Sequence, residues 1–235
     1  MISGLQKMTL LDFPGKVACT VFLQGCNFRC PFCHNSGLLE GNEPDLMTAE
    51  ELLDFLKKRQ GILDGVCITG GEPTLQPGLP DLLKAIKALG YAVKLDTNGS
   101  RPEIMKQLVA DGLVDYVAMD IKNSPQRYGE TVGVPKLHLE GIEESIRFLL
   151  SGAVDYELRT TVVAQLHDSA SMAQMGDWLQ HLVPGQKVRR LFLQCYVDRD
   201  SVLSAGLSAP QKEDLEAYAQ ILEPFADFVK IRGVD

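Results

Sequence analysis

Short apolar, β-branched runs recur along the chain, and each is followed by a stretch in which apolar residues return every three or four positions. The runs are VACTVFL (17–23), GVCIT (65–69), YAVKLDT (91–97), YVAMDIK (116–122), YELRTTVV (156–163) and RRLFLQCY (189–196). Amphipathic stretches cover 48–59, 80–90, 101–112, 138–151, 169–182 and 210–223. Thr48 with Glu51 three residues on has capping-box spacing, and the second stretch starts on Pro80 and stops on Gly90. Strand and helix alternating six times predict parallel strands joined by crossover helices, hence an α/β sheet or barrel. Two further extended segments flank the six: one at the start, turning at Asp12 to Gly15, and one within 226–233. No composition break marks a linker, so residues 1–235 read as a single domain.

Polar residues gather just after the apolar runs: Gly70, Gly71 and Glu72 after one, Asp96, Thr97 and Asn98 at the end of another, Asp120 and Lys122 at the end of a third. In parallel α/β folds the carboxyl ends of the strands open onto loops on one side, so residues far apart in the chain can share one site.

Composition narrows the class. With 45% apolar and 23% charged residues the chain has the make-up of an ordinary soluble domain. The net charge of −8 argues against a nucleic-acid partner held through phosphates, and the short basic clusters Lys57, Lys58, Arg59 and Arg189, Arg190 read as solvated faces. No apolar run approaches the roughly 20 residues that span a bilayer, and no signal-type segment opens the chain, so no membrane partner and a cytoplasmic location are expected. Six cysteines, three of them within eight positions, do not form the pattern of a disulfide framework.

The crowded three are Cys26, Cys30 and Cys33, in FLQGCNFRCPFCHN (22–35), within a loop predicted over 24–35 after the first main strand. Four readings compete. A structural zinc site wants a fourth ligand, and His34 is too near Cys33 in the chain to serve comfortably. A redox pair would use Cys30 and Cys33 and leave Cys26 idle. Three buried small apolar residues fit poorly beside Asn27, Arg29 and Asn35. An iron–sulfur cluster with one iron left open uses all three thiols and keeps a position for a substrate or cofactor.

The motif order adds what single motifs lack. FLQGCNFRCPFCHN, TGGEPTLQ, LDTNG, MDIK, ETVGV and LRTTVV, over about residues 5 to 165, resemble the radical S-adenosylmethionine superfamily. Within it they resemble the glycyl-radical-enzyme activating proteins, most of all the anaerobic ribonucleotide reductase activating group. The resemblance implies a partial (β/α)6 barrel, open on one side. It implies an oxidoreductase that cleaves S-adenosylmethionine reductively at a [4Fe-4S] cluster and installs a glycyl radical on a partner enzyme, with a flavodoxin- or ferredoxin-type electron donor. Cys26, Cys30 and Cys33 would ligate the cluster. Gly70, Gly71 and Glu72 would meet the cofactor's methionine end, Asp120 its ribose, and Lys122 and Arg159 its carboxylate. Phe32, Asp96 and Thr97 would complete the pocket, with a monovalent cation near Asp96 and Asp120. The alternatives are a small-molecule enzyme of the same chemistry, like 7-carboxy-7-deazaguanine synthase, and a non-enzymatic zinc or iron–sulfur module.

Other residues take plainer roles. Cys19 and Cys67 read as core, His138, His167 and His181 as surface, Trp178 as packing on its helix, and Asp96 otherwise as a cap on the Asn98–Gly99 turn. After the sixth strand the chain departs from the pattern of the group it resembles. Related activases can carry Pro-Phe-His there, whereas this chain has Gln194, Cys195 and Tyr196, with Cys195 read as a buried thiol.

Overall fold

A computed structural model describes residues 1–41 and 45–234. The chain divides into two compact units. The first comprises Met1–Asn27, Gly37–Thr97 and Arg101–Ala118; the second comprises Phe28–Ser36, Asn98–Ser100 and the residues from Met119 onward.

In the first unit, β1 (Ile2–Thr9) runs antiparallel to β2 (Ala18–Leu23), and β3 (Gly65–Gly70) and β4 (Ala92–Thr97) follow in parallel. The turn between β1 and β2 closes where the sequence places it: Thr9 Oγ1 accepts from the N–H of Leu11 and of Asp12, and Lys16 N donates to Phe13 O. Phe13 then turns inward against Ala18, Cys67 and Tyr116. Helix α1 (Ala49–Lys57) begins with the expected reciprocal cap, Glu51 N on Thr48 Oγ1 and Thr48 N on Glu51 Oε2, which satisfies two of its open amides. Its Leu52 and Leu56 are buried, as are Leu79, Leu82, Leu83 and Ile86 of α2 (Leu79–Ala88), four residues at helical spacing. Helix α3 (Pro102–Ala110) opens on proline, which lacks the N–H the first turn would leave unpaired. Cys19 and Cys67 are core residues, and burial pushes both thiols up to about 12.

Strand β5 (Tyr116–Asp120) contributes its first three residues to the first unit and its last two to the second. The second unit adds α4 (Pro125–Thr131), α5 (Glu140–Leu150), β6 (Asp155–Val162), α6 (Ser169–Leu182), β7 (Leu191–Cys195), α7 (Lys212–Leu222) and β8 (Val229–Arg232). β6, β7 and β8 are parallel neighbours. The periodicity did not predict α4, which has seven residues and shows no two-turn apolar stripe. Helix α6 is capped by Asp168, which accepts from Ser171 N. Trp178 packs as expected, its ring edge-on to Tyr128 and its Nε1 donating to Glu143 Oε1. Arg232, at the end of β8, forks onto both oxygens of the buried Glu157 and lies over the Phe192 ring.

The strands follow the order β1 to β8 in one sheet, open because β1 and β8 each have a single neighbour. This is the mostly parallel α/β sheet that the alternation predicts, open as the resemblance implies, with β8 as the short last strand.

Candidate active site

In the first unit the Gly70–Glu72 turn is built on the chain segment that leads to Cys26. A Cβ on Gly70 would lie 2.1 Å from Leu23 O, at a backbone φ of +119°, and one on Gly71 would lie 2.2 Å from Gly25 O. No side chain fits at either position. Gly71 N donates to Leu23 O and Glu72 N to Gly25 O, both at 2.8 Å, while Cys26 N donates to Leu39 O. The close approach these glycines permit is therefore filled, within this unit, by backbone 23–25.

Glu72 is fully buried. Its Oε1 accepts from Thr74 N at 3.1 Å, Thr74 Oγ1 at 2.6 Å and Thr97 Oγ1 at 2.8 Å, so the carboxylate ties the end of β3 to the end of β4. In the turn after β4, Asn98 Oδ1 accepts from Ser100 N. Asp96 accepts from Lys94 Nζ at 2.5 Å, and the Lys94 side chain is 2% exposed. Lys94 and Asp96 are two apart in a strand and share a face, which is how a lysine comes to be buried here.

In the second unit Asp120, Lys122 and Arg159 form one cluster. Asp120 Oδ2 accepts from Lys122 Nζ and Oδ1 from Arg159 Nε, each at 2.9 Å. Burial alone would raise the Asp120 carboxyl, but Arg159 and Lys122 outweigh it and hold it down to about 2. For Lys122 burial pulls downward, and Asp120, with Cys30 adding to it, carries the net shift upward. Two cations and one carboxylate leave these three groups with a net positive charge. The Lys122 ammonium also stands 5.9 Å from the centre of the buried Phe32 ring.

Residues that sequence reasoning set aside hold this cluster in place. His167 was expected at the surface and is 3% exposed. Its Nδ1 accepts from Val163 N at 3.1 Å, so the proton resides on Nε2, which donates to Lys122 O at 2.9 Å. Burial keeps its pKa below the ordinary histidine value. Asn123 donates to Thr131 Oγ1 and Leu166 O, and Tyr128 OH donates to Asp120 O. A histidine four residues after Val163, in the short loop between strand β6 and the capping Asp168, was the available signal.

Cys26 falls in the first unit, Cys30 and Cys33 in the second. All three are thiols outside any disulfide, Cys30 buried and the other two half-buried. Cys33 N donates to Cys30 O in a tight turn. Burial raises the Cys33 thiol; the Asn35 N–H and the Lys122 ammonium pull against it, and Asp120 adds to it. Among the described residues no three His, Cys, Asp or Glu side chains form a group that holds a metal ion. The donor chemistry nevertheless fits an iron–sulfur group: three unoxidised thiols, two of them in the field of an ammonium that favours thiolate. Cys195 is half-buried rather than fully buried, whereas Tyr196 is 1% exposed.

Residues 20–165 match the Radical SAM superfamily. A protein of Methanocaldococcus jannaschii, described as a glycyl-radical enzyme activating enzyme, is 30% identical over 247 residues, covering 100% of this chain and 97% of its own length. The pyruvate formate-lyase-activating enzyme of Clostridium pasteurianum is 33% identical over 201 residues, covering 81% of this chain and 80% of its own. In fold the chain is similar to a crystallised domain of a pyruvate-formate lyase-activating enzyme from Bacteroides vulgatus. The TM-score is 0.57 at 23% identity, over 72% of this chain and 99% of that one.

Proposed function

The chain belongs to the radical SAM superfamily and is an enzyme of that family, and from this premise we propose that it activates a glycyl-radical enzyme. The observation that carries the proposal is the end-to-end correspondence with the Methanocaldococcus protein described by that activity, since a relative matched only over the shared 20–165 region would not distinguish activases from other members. The partner is an anaerobic ribonucleotide reductase, the electron donor a flavodoxin- or ferredoxin-type protein, and the setting the cytoplasm. Among the described residues no helix is long and apolar enough to cross a membrane.

Cys26, Cys30 and Cys33 would hold the [4Fe-4S] cluster. The cluster and S-adenosylmethionine, when bound, supply one-electron cleavage of a sulfonium and an adenosyl radical that takes a hydrogen atom from glycine. Lys122 favours the thiolate forms of Cys30 and Cys33. The net positive charge of Asp120, Lys122 and Arg159 suits the cofactor's carboxylate, and Phe32 offers a buried ring beside it. Glu72 holds Thr74 and Thr97 next to the Gly70–Gly71 turn, where the cofactor's ammonium end would lie, and Asp96 would line the same pocket.

The test is anaerobic reconstitution, reduction with dithionite and assay of 5′-deoxyadenosine, followed by electron paramagnetic resonance on two candidate partners side by side, an anaerobic ribonucleotide reductase and a pyruvate formate-lyase. A glycyl doublet on the reductase is expected, and Cys30→Ala should abolish cofactor cleavage. Turnover of a small molecule with no radical on either protein would overturn the activase reading.

A further inference from the structure

The segment after β7 reaches back onto the cysteine loop. Tyr196 is 1% exposed, and its N–H donates to Val162 O at 3.1 Å, so its backbone continues the sheet past β7. Its ring stacks on His34, centroid to centroid 5.6 Å at an interplanar angle of 6°, and its hydroxyl donates to Asp198 Oδ1. His34 Nε2 lies 2.6 Å from Val197 O; a carbonyl only accepts, so that nitrogen carries the proton. Ser36 Oγ donates to Ser201 O at 2.5 Å, and Ser204 N donates to Pro31 O at 2.9 Å. Residues 196–204 thus hold 31–36 through the hydrogen bonds at Val197, Ser201 and Ser204 and the ring stack of Tyr196 on His34. The stretch just before is held from elsewhere in the unit: Arg29 N donates to Val132 O, and a Cβ on Gly133 would strike Arg29 O at 2.4 Å.

We propose that Tyr196, stacked on His34, is a positioning residue that holds the Cys30–Cys33 turn in its ligating conformation and so sets how firmly the loop retains iron. The proposal rests on the reading that Cys26, Cys30 and Cys33 bind the cluster. Its physical basis is preorganisation. A loop already fixed by the sheet loses little conformational freedom when its thiols bind. Tyr196 provides that link because its backbone belongs to the sheet while its ring belongs to the loop. The ring, rather than the hydroxyl, is the part that touches His34.

Wild type, Tyr196→Phe, Tyr196→Ala, His34→Ala and Cys30→Ala are reconstituted anaerobically and challenged with a ferrous chelator, with the resonance spectrum of the reduced cluster recorded in parallel. Tyr196→Ala and His34→Ala should release iron on the order of tenfold faster than wild type, with an altered line shape, and Tyr196→Phe should behave as wild type. Wild-type release and spectrum from Tyr196→Ala would overturn the proposal. Should Tyr196→Ala fail to fold, the half-exposed His34 decides, and an unchanged His34→Ala overturns it. Cys30→Ala separates the two levels. If it retains iron as wild type does, the cluster reading itself fails; if it loses iron while Tyr196→Ala does not, only the positioning role falls.

Discussion

Glu72 in the first unit and Asp120 in the second are both carboxylates at or just past the end of a strand, and their surroundings satisfy them by different means. Glu72 is fully buried and takes two hydroxyls and one backbone amide of its own unit on a single oxygen. Asp120 keeps 27% of its side chain exposed and sits between an ammonium and a guanidinium, one on each oxygen. Fixed neutral donors define a position but carry little field beyond it. Paired charges define a position less strictly and extend a field, which here reaches Cys33 through Lys122. The first cluster is thus a joint between β3 and β4, and the second an electrostatic device beside two of the three crowded thiols.

The largest expected effect comes from removing the charge at the centre of the second cluster. Asp120→Ala leaves two part-buried cations facing each other and should cost about 3 kcal/mol, the low end for breaking a buried ion pair because the group is partly solvated. Chemical denaturation measures it. Adding Lys122→Met should restore part of the loss, since it removes one of the cations left unpaired, whereas simple addition of the two losses would show that the cluster is not coupled. Acid titration is a second handle. A carboxyl held at about 2 contributes stability that is present above its unfolded value near 4 and is lost as the pH falls through 2. Asp120→Ala should flatten that acid limb.

Glu72→Gln tests the other side of the comparison at smaller scale. The amide oxygen can still accept from Thr74 and Thr97, so the joint should persist at a cost of about 1 kcal/mol. If Glu72→Gln destabilises as strongly as Asp120→Ala, Glu72 is held by charge as well, and the contrast between the clusters disappears.

How much of this was legible follows from where each constraint lies. The strands of the sheet and six of the helices were readable because period-two and period-3.6 patterns and the Thr48–Glu51 cap are written within a few consecutive residues. Helix α4 was not, since seven residues opened by Pro125 never complete an apolar stripe. Lys94 passed as an ordinary strand residue, although its i, i+2 spacing to Asp96 is the same signal that picked out Asp120 and Lys122. His167 was misread because its neighbours Gln165, Asp168 and Ser169 are polar, while the carbonyl it meets, on Lys122, is 45 residues away. Similarly, nothing local to Tyr196 announces His34, 162 positions earlier in the numbering, as its stacking partner. Contacts closed across the fold are invisible to periodicity, and the residues that steady the charged cluster and the cysteine loop are of this kind.

The smallest expected effect sharpens the comparison most finely, because it concerns a neutral group that supports a charged one. His167 is buried with Nε2–H on the Lys122 carbonyl, and burial lowers its pKa below the ordinary value near 6.5. The unfolded chain takes up the proton first as the pH falls, so the stability His167 contributes is fully present above about 6.5 and declines below it until the folded form also protonates. One pH unit under the unfolded value the decline is at most about 1.4 kcal/mol. Melting curves between pH 7.5 and 5.5 should show this slope in the wild type and its loss in His167→Gln. If both proteins show the same slope, His167 is not held neutral in the folded protein. If only the wild type shows it, acidification displaces the Val163 N–H from Nδ1, the nitrogen that takes the proton, well before it reaches the pH at which Asp120 itself titrates, so the neutral support responds to acid before the charged cluster does.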